Sequence, residues 1–325
     1  MGSVNGETEG RILLSGASGM VGSALRAKLD AGQAGVTQLV RRVPQTAAEL
    51  QWNPAAAIPI ADSKPIEGLD AAIHLSGANL SARRWTPAYR REMAASRVDS
   101  TCALATLLAG LRRPPRAFLV ASAIGIYGNR GDEVLDESSA PGTGFLADLC
   151  RKWEEASAPA VNRGIRVVHL RFGVVLAPGA GALAMMLPLF RLGLGGRLGS
   201  GKQWTSWISL SDLVAATLFL LEPTSLQGGV NLTSPQPVRN AEFANSLARL
   251  LHRPAVLPAP AFALRLALGP MADEALLSST RVLPRKLLDA GFTLRSRRLT
   301  KLSVKRSGRN AETGCICIVS SKPGF

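Results

Sequence analysis

The chain predicts an α/β fold, a doubly wound parallel sheet with a small, mainly helical C-terminal domain. Three observations predict it. Short apolar runs alternate with helical stripes, and the first run meets a glycine-rich turn that opens a helix. After about residue 175 that rhythm gives way to glycine-rich loops and a Pro-rich break.

RILLSG (11–16) reads as a buried parallel strand, and MVGSALRAKLDAG places Val21, Leu25 and Leu29 on one helical stripe ending at Gly32. VTQLV (36–40) is a second strand, and AAIHLSG (71–77) and RAFLVASA (116–123) are two more. Residues 84–110 between them form a long helical stretch ending in Gly110. FLADLCRKWEEASAPAVNRG is another helix and IRVVHLRFG (165–173) another strand. Strands alternating with helices give βαβ units of the Rossmann type, with ligands at the carboxyl ends of the strands. VLAPGAGAL and LGLGGRLGSGKQW then surround an apolar helical segment, and LHRPAVLPAPAF begins a last helical region reaching about Phe292.

Composition excludes several classes. A hydrophobic fraction of 46% supports a sizeable core, while no run of eighteen uninterrupted apolar residues exists to span a membrane. MGSVNGETEG at the start has two glutamates and no apolar run, so no secretory signal is expected there. Cys102, Cys150, Cys315 and Cys317 have neither zinc spacing nor a disulfide framework, and the three histidines are scattered. The expectation is a cytoplasmic protein without a metal site.

The net charge of +15 is unevenly placed: residues 295–325 hold eight Lys or Arg against Glu312, a net +7, which leaves +8 for the rest. With no RNA-reading aromatic motif, a modestly basic enzyme surface is the reading, and nucleic acid is not an expected partner.

The sharpest motif is SGASGMVG, with Gly16, Gly19 and Gly22 in a G-x-x-G-x-x-G pattern between strand and helix. Small residues let the backbone turn and approach a pyrophosphate, and the helix N-terminus offers it unpaired N–H groups. At the end of the second strand, where NAD enzymes place an acid for the ribose 2′-hydroxyl, this chain has Arg41 and Arg42. An acid there repels a 2′-phosphate and a guanidinium holds it, so NADP(H) is the expected cofactor.

A series of stretches then matches a known family: ILLSGASGMVGSAL, DAAIHLSGANL, RRWTPAYRREMAASRVDST, SAIGIYGNRGDE, FLADLCRKWEEA, LRFGVVLAPGAGAL, LGLGGRLGSGKQWTSWISLSDL and DEALLSSTRVLPRKLLDAGF. On these, covering roughly residues 11–294, the chain resembles the atypical extended short-chain dehydrogenase/reductases, specifically the epimerase-like family 39U. The resemblance implies an NADP-binding Rossmann domain whose glycine turn includes Ser18, Met20 and Val21. It sets Leu75 and Ser76 against the cofactor, puts Glu92 and Arg97 near its nicotinamide half, and brings Val174 to the nicotinamide. By spacing alone, Glu92 and Arg97 read as a solvated helical pair. The family usually carries a histidine where this chain has Ser209.

Ordinary members use Tyr-x-x-x-Lys, in which the lysine lowers the tyrosine pKa. Here Met93 stands four residues after Tyr89 and Gly131 four after Tyr127, so the motif is absent. The best register puts Phe145 and Leu149 in its places, and with Trp153 they read as a core-facing stripe. Tyr127 and Ser122 are the remaining catalytic candidates. With no lysine nearby, a structural or pocket role is the better reading of Tyr127. Trp204 and Trp207 form either an apolar lid on the substrate side or a filled junction between domains. Arg171, Arg191 and Arg197 are candidates for an anionic group on the substrate.

The expected organisation is a disordered 1–10, an NADP-binding domain at 11–235, a small C-terminal domain at 236–294 and a basic tail at 295–325. That tail abruptly changes composition, which reads as disorder or a change of reading frame. The expected function is an NADP-dependent oxidoreductase or epimerase-like enzyme acting on a small molecule, the alternative a non-catalytic NADP-binding sensor or scaffold.

Overall fold

Successive residues of a strand face opposite ways, so strands made entirely of apolar residues must be covered on both sides. The fold obeys this. It is known from a computed structural model that describes residues 10–177 and 179–299. The strands are β1 (Arg11–Ser15), β2 (Gly35–Val40), β3 (Glu49–Gln51), β4 (Ala71–His74), β5 (Ala117–Ala123), β6 (Val134–Leu135) and β7 (Arg166–Phe172). They continue as β8 (Val174–Ala177), β9 (Trp204–Thr205), β10 (Trp207–Ser209), β11 (Gly228–Leu232), β12 (Val238–Arg239) and β13 (Arg281–Val282).

Seven of them form one sheet in the order β11-β7-β5-β4-β1-β2-β3, every pair parallel. Ile12, Leu14, Ile73, Leu119 and Val168 face one side of it. Leu13, Ala72, Phe118, Val120 and Val167 face the other. On the first side pack α1 (Met20–Ala31), through Leu25 and Leu29, and a later helix, Leu210–Leu221, through Leu213 and Leu220. On the second side Leu104 and Leu108 come from a helix at Ser100–Ala109.

The chain runs outward from β1 to β2 and β3, then returns to lay β4 on the other flank of β1. The strand order therefore reverses between β1 and β4, and the loops leaving those two strands diverge there. Such a switch point is the usual ligand crevice of an open α/β sheet.

The helical stretch expected over 84–110 is interrupted. It consists of α2 (Pro87–Ala94), a wide turn at Ala95–Asp99, and α3 (Ser100–Ala109). Arg97 sits in the wide turn. Beyond it, α4 (Phe145–Glu155) begins just after Gly144, whose φ is 109°.

In the C-terminal part, Trp207, Leu183, Phe190, Phe243 and Leu247 form a separate cluster. The expectation of a loose chain from 295 onward is corrected at its start. Arg295 and Ser296 donate their amides to the buried Asp212 carboxylate at 2.9 and 2.8 Å, and Leu299 is buried. The rest of the tail, 300–325, lies outside the described residues, as do 1–9.

Candidate functional site

The turn after β1 is shaped by contacts that exclude side chains. Gly16 has φ +74°, and a Cβ on it would lie 2.7 Å from the carbonyl carbon of Leu75 and 3.0 Å from the Ser76 nitrogen. A Cβ on Gly22 would lie 2.1 Å from the Gly16 oxygen, so the helix can seat on its own turn only without one. At Gly19 the surroundings are open, with only the Gly16 oxygen near, at 3.4 Å. Gly19 is also the N-cap of α1, and no side chain caps that helix. The amides of Met20, Val21 and Gly22 therefore have neither a helical partner nor a cap, beside the exposed Ser18. Uncapped amides, a helix dipole and a clear approach past Gly19 suit a diphosphate.

Below the turn runs a buried polar chain. Ser76 Oγ donates to Ser15 Oγ at 3.2 Å, Ser15 Oγ meets His74 Nδ1 at 2.6 Å, and His74 Nε2 meets Ser100 Oγ at 3.0 Å. Complete burial pushes His74 down to about 3, so it is neutral and ties the ends of β1 and β4 to α3.

The two arginines after β2 differ. Arg42 forms a forked pair with Glu49 at 2.8 and 2.6 Å, and this holds the Glu49 carboxyl at about 2. Arg41 is exposed and makes no ion pair among the described residues.

Next to the switch point lies a cavity of about 550 Å3. Its walls come from the end of β5, the inner face of α4, Val174, Trp204 and the segment Asp273–Thr280. Most of that surface is apolar: Leu80, Ile124, Leu146, Leu149, Trp153 and Phe172. Leu149 and Trp153 are buried along α4, and Phe145 stacks edge-on against Trp85 at 5.5 Å, so the expected stripe packs inward. Cys150 also lines the cavity, its thiol pushed up to about 12 by burial.

Tyr127 stands away from that space. It is fully buried; Arg171 donates to its hydroxyl at 2.9 Å, and the hydroxyl donates to Asn231 Oδ1 at 2.8 Å. Burial raises its pKa, opposed by Arg171, which moves it further from use as an acid near neutrality. Arg171 is in turn forked onto Glu154 at 2.8 Å twice, so it is not available to an anionic substrate group. Ser122 lines the cavity, but its hydroxyl donates to the same Glu154 at 2.7 Å. Tyr127 and Ser122 thus lie at opposite ends of one buried network rather than side by side over a reacting atom.

Glu92 and Arg97, expected together near the nicotinamide, part company. Glu92 faces outward and meets Arg83 at 3.8 Å, both exposed. Arg97 turns inward, 8% exposed, and donates to Met93 O at 3.2 Å and Ala78 O at 2.8 Å. Trp207 is no lid: it is completely buried, its indole nitrogen donating to Gln236 O at 3.2 Å. Trp204 does line the cavity, clamped between the guanidiniums of Arg239 at 4.2 Å and Arg281 at 4.3 Å. Ser209 caps the following helix through Asp212, accepting its amide at 3.1 Å.

Sequence reasoning missed Glu274. Its two carboxylate oxygens accept the amides of Phe145 and Leu146 at 2.9 and 2.7 Å, capping α4 from 128 residues or more away in the chain. Asp-Glu before an apolar run was a visible signal, but nothing in it pointed to α4.

Residues 12–231 match the NAD dependent epimerase/dehydratase family, and residues 259–301 match a domain of unknown function, DUF1731. The chain is similar to the epimerase family protein ML0860 of Mycobacterium leprae, 46% identical over 86% of this chain and 90% of that one. It is 35% identical to an Arabidopsis thaliana protein described as a chloroplastic SDR39U1 homolog, over 88% and 83% of the two chains. Among solved structures it resembles the human epimerase family protein SDR39U1 with NADPH. That likeness has a TM-score of 0.81 and 32% identity, and covers 89% of this chain and 96% of the human one. Among the described residues, no helix is long and apolar enough to cross a membrane, and no His/Cys/Asp/Glu group is placed to hold a metal.

Proposed function

The chain belongs to the NAD dependent epimerase/dehydratase family, and we propose that it is an NADP(H)-binding oxidoreductase or epimerase-like enzyme acting on a small molecule. One observation carries the reading: a glycine turn that excludes side chains and delivers three uncapped helix amides to one point. Gly16 to Gly22 are assigned to the diphosphate, Arg41 and Arg42 to the 2′-phosphate, Leu75 and Ser76 to the cofactor's flank, Arg97 to its nicotinamide half, and Val174 to the nicotinamide. The human relative solved with NADPH supports the phosphorylated nucleotide. When bound, the cofactor supplies or accepts a hydride at the nicotinamide C4.

The chain's own residues do the rest. Apolar walls hold the substrate away from water, and Trp204 forms one side of the cavity. Proton exchange falls to water, since Phe145 and Leu149 stand where tyrosine and lysine are usual and Tyr127 is held by Arg171 and Asn231. We assign residues 11–235 to the cofactor-binding domain and 236–294 to the small C-terminal domain. Free thiols at Cys102 and Cys150 support a cytoplasmic setting.

A second reading, an NADP-binding sensor or scaffold without chemistry, has its own support. The acids on the cavity wall are engaged: Asp273 with Arg265 at 2.9 Å, Glu274 with the α4 amides. Nicotinamide fluorescence on purified protein, followed by NADPH consumption against carbonyl compounds and nucleotide sugars, separates the two. Enhanced fluorescence with consumption of one class is expected. Binding without consumption moves the protein to the second reading, and no binding rejects both.

A further inference from the structure

One side of the C-terminal part is apolar and faces outward. On the helix Gly181–Arg191, Leu183, Leu187 and Phe190 turn into the core, while Met185 and Leu189 point out, continued by the exposed Leu192 just past its end. The helix Ala261–Leu268 has no buried residue, and Phe262 and Leu266, one turn apart, are 72% and 78% exposed. The segments next to these helices join them into one surface. The Gly199 amide donates to Ala259 O at 2.8 Å and the Ala259 amide to Arg197 O at 2.9 Å, and a Cβ on Gly193 would lie 3.7 Å from Pro254. Val256, 72% exposed, stands in that seam. Soluble surfaces rarely carry so continuous an apolar face without a partner.

The charge around this face indicates which partner. Residues 181–200 and 243–272 contain Arg191, Arg197, Arg249, Arg253 and Arg265 and no Asp or Glu. Arg265 reaches Asp273, which lies outside both segments. Arg197, Arg249 and Arg253 have no ion pair among the described residues. Arg197 and Val256 share the wall of one groove with Asn245, whose carbonyl accepts from Arg249 Nε at 3.4 Å. Against a second copy of this face, arginines would meet arginines, because a two-fold contact puts the same patch on both sides. Side chains that stand so far out also suit a fluid surface, which needs no matching pocket. Apolar residues rimmed by cations and free of acids fit a negatively charged lipid surface.

We propose that this face binds the surface of an anionic bilayer. Phe262, Leu266, Leu192 and Val256 enter the headgroup boundary, and Arg197, Arg249 and Arg253 meet the lipid phosphates and carboxylates. The contact lies on the membrane and does not cross it: the helix Ala261–Leu268, with eight residues, is only about 12 Å long. This goes beyond the proposed function and does not depend on it, although the same helix leads within a few residues to Asp273–Thr280 on the cavity wall.

The test is cosedimentation of the full chain with vesicles of phosphatidylcholine, or of an equal mixture of phosphatidylcholine and phosphatidylserine. Wild type is expected to partition about tenfold or more strongly to the anionic vesicles, with most of that difference lost in high salt. Phe262→Ser with Leu266→Ser should weaken binding to the anionic vesicles by about tenfold or more. Arg249→Gln with Arg253→Gln should weaken it by about tenfold at low salt. All four positions are exposed, so both variants should melt within about 2 °C of wild type. Leu192→Ser with Val256→Ser gives the same reading where the first pair fails to fold. Absence of wild-type binding overturns the proposal. So does binding that survives the apolar pair, which would assign it to the basic residues 300–325 that every variant retains. A dimer in analytical ultracentrifugation that the apolar pair dissociates, with no vesicle binding, gives the face to a second copy instead.

Discussion

The glycine turn and the cavity beside it are built in opposite ways. Seven consecutive residues, Gly16 to Gly22, make the turn, and its donors are main-chain amides that no substitution except proline removes directly. The cavity is assembled from residues far apart: Arg97 from a helix break, Trp153 from α4, Glu274 from the C-terminal segment. Its charges are side chains, each needing a partner. The turn works by leaving side chains out, whereas the cavity depends on where side chains are tied. Arg171 and Arg97 show the difference within the cavity region itself, since one is forked onto Glu154 and the other, among the described residues, meets no carboxylate.

That contrast can be broken from either side. The largest effect is expected at Glu154→Ala, which leaves Arg171 buried without its acid. Chemical denaturation should show a loss of about 3–5 kcal/mol, and a loss under about 1 kcal/mol would show the pair to be dispensable.

A pH effect follows from His74. Its folded pKa, about 3, lies below the ordinary 6.5, so between those values only the unfolded chain takes up the proton. Stability is therefore intact above about pH 6.5 and falls toward pH 3, at up to about 1.4 kcal/mol per pH unit from this residue. His169 is shifted the same way by burial and adds to the limb. His74→Asn should flatten it, and an unchanged slope would remove His74 from the account.

On the turn side, Gly22→Ala places a Cβ against the Gly16 carbonyl. We expect about 1–3 kcal/mol of destabilisation and a drop of about a hundredfold in NADPH affinity by calorimetry. Normal affinity would mean that the turn does not hold the diphosphate. Smaller still, Arg41→Ala should reduce the preference for NADPH over NADH by about tenfold, and Arg42→Ala by less, because Glu49 already neutralises Arg42. Equal losses would show that Glu49 gives way to the nucleotide. Least of all, Glu92→Gln should leave turnover unchanged and move Tm by less than about 2 °C.

The strand–helix alternation was legible because the local pattern and the buried sheet agree: Ile12 to Leu14 read as a buried strand and are one. The break inside 84–110 was not, since no Gly or Pro marks it; the wide turn is visible only with Arg97 turned inward onto Met93 and Ala78. Serine near tyrosine at 122 and 127 suggested an active-site pair, but their short separation said nothing about direction. Glu154 and Asn231, 32 and 104 residues away from them, decide it. Trp204 and Trp207 looked equivalent in the chain, yet a step of three residues from one short strand to the next puts one on the cavity wall and the other in the core.

By itself the sequence determined the sheet and the phosphate-holding turn, because both depend on local spacing: alternation at the period of a strand and a missing Cβ at set steps. Only the tertiary structure decided which charges are satisfied. Whether a buried guanidinium meets an acid or a bare carbonyl depends on chain segments brought together from a distance, and in a desolvated interior that single contact changes the group's chemistry.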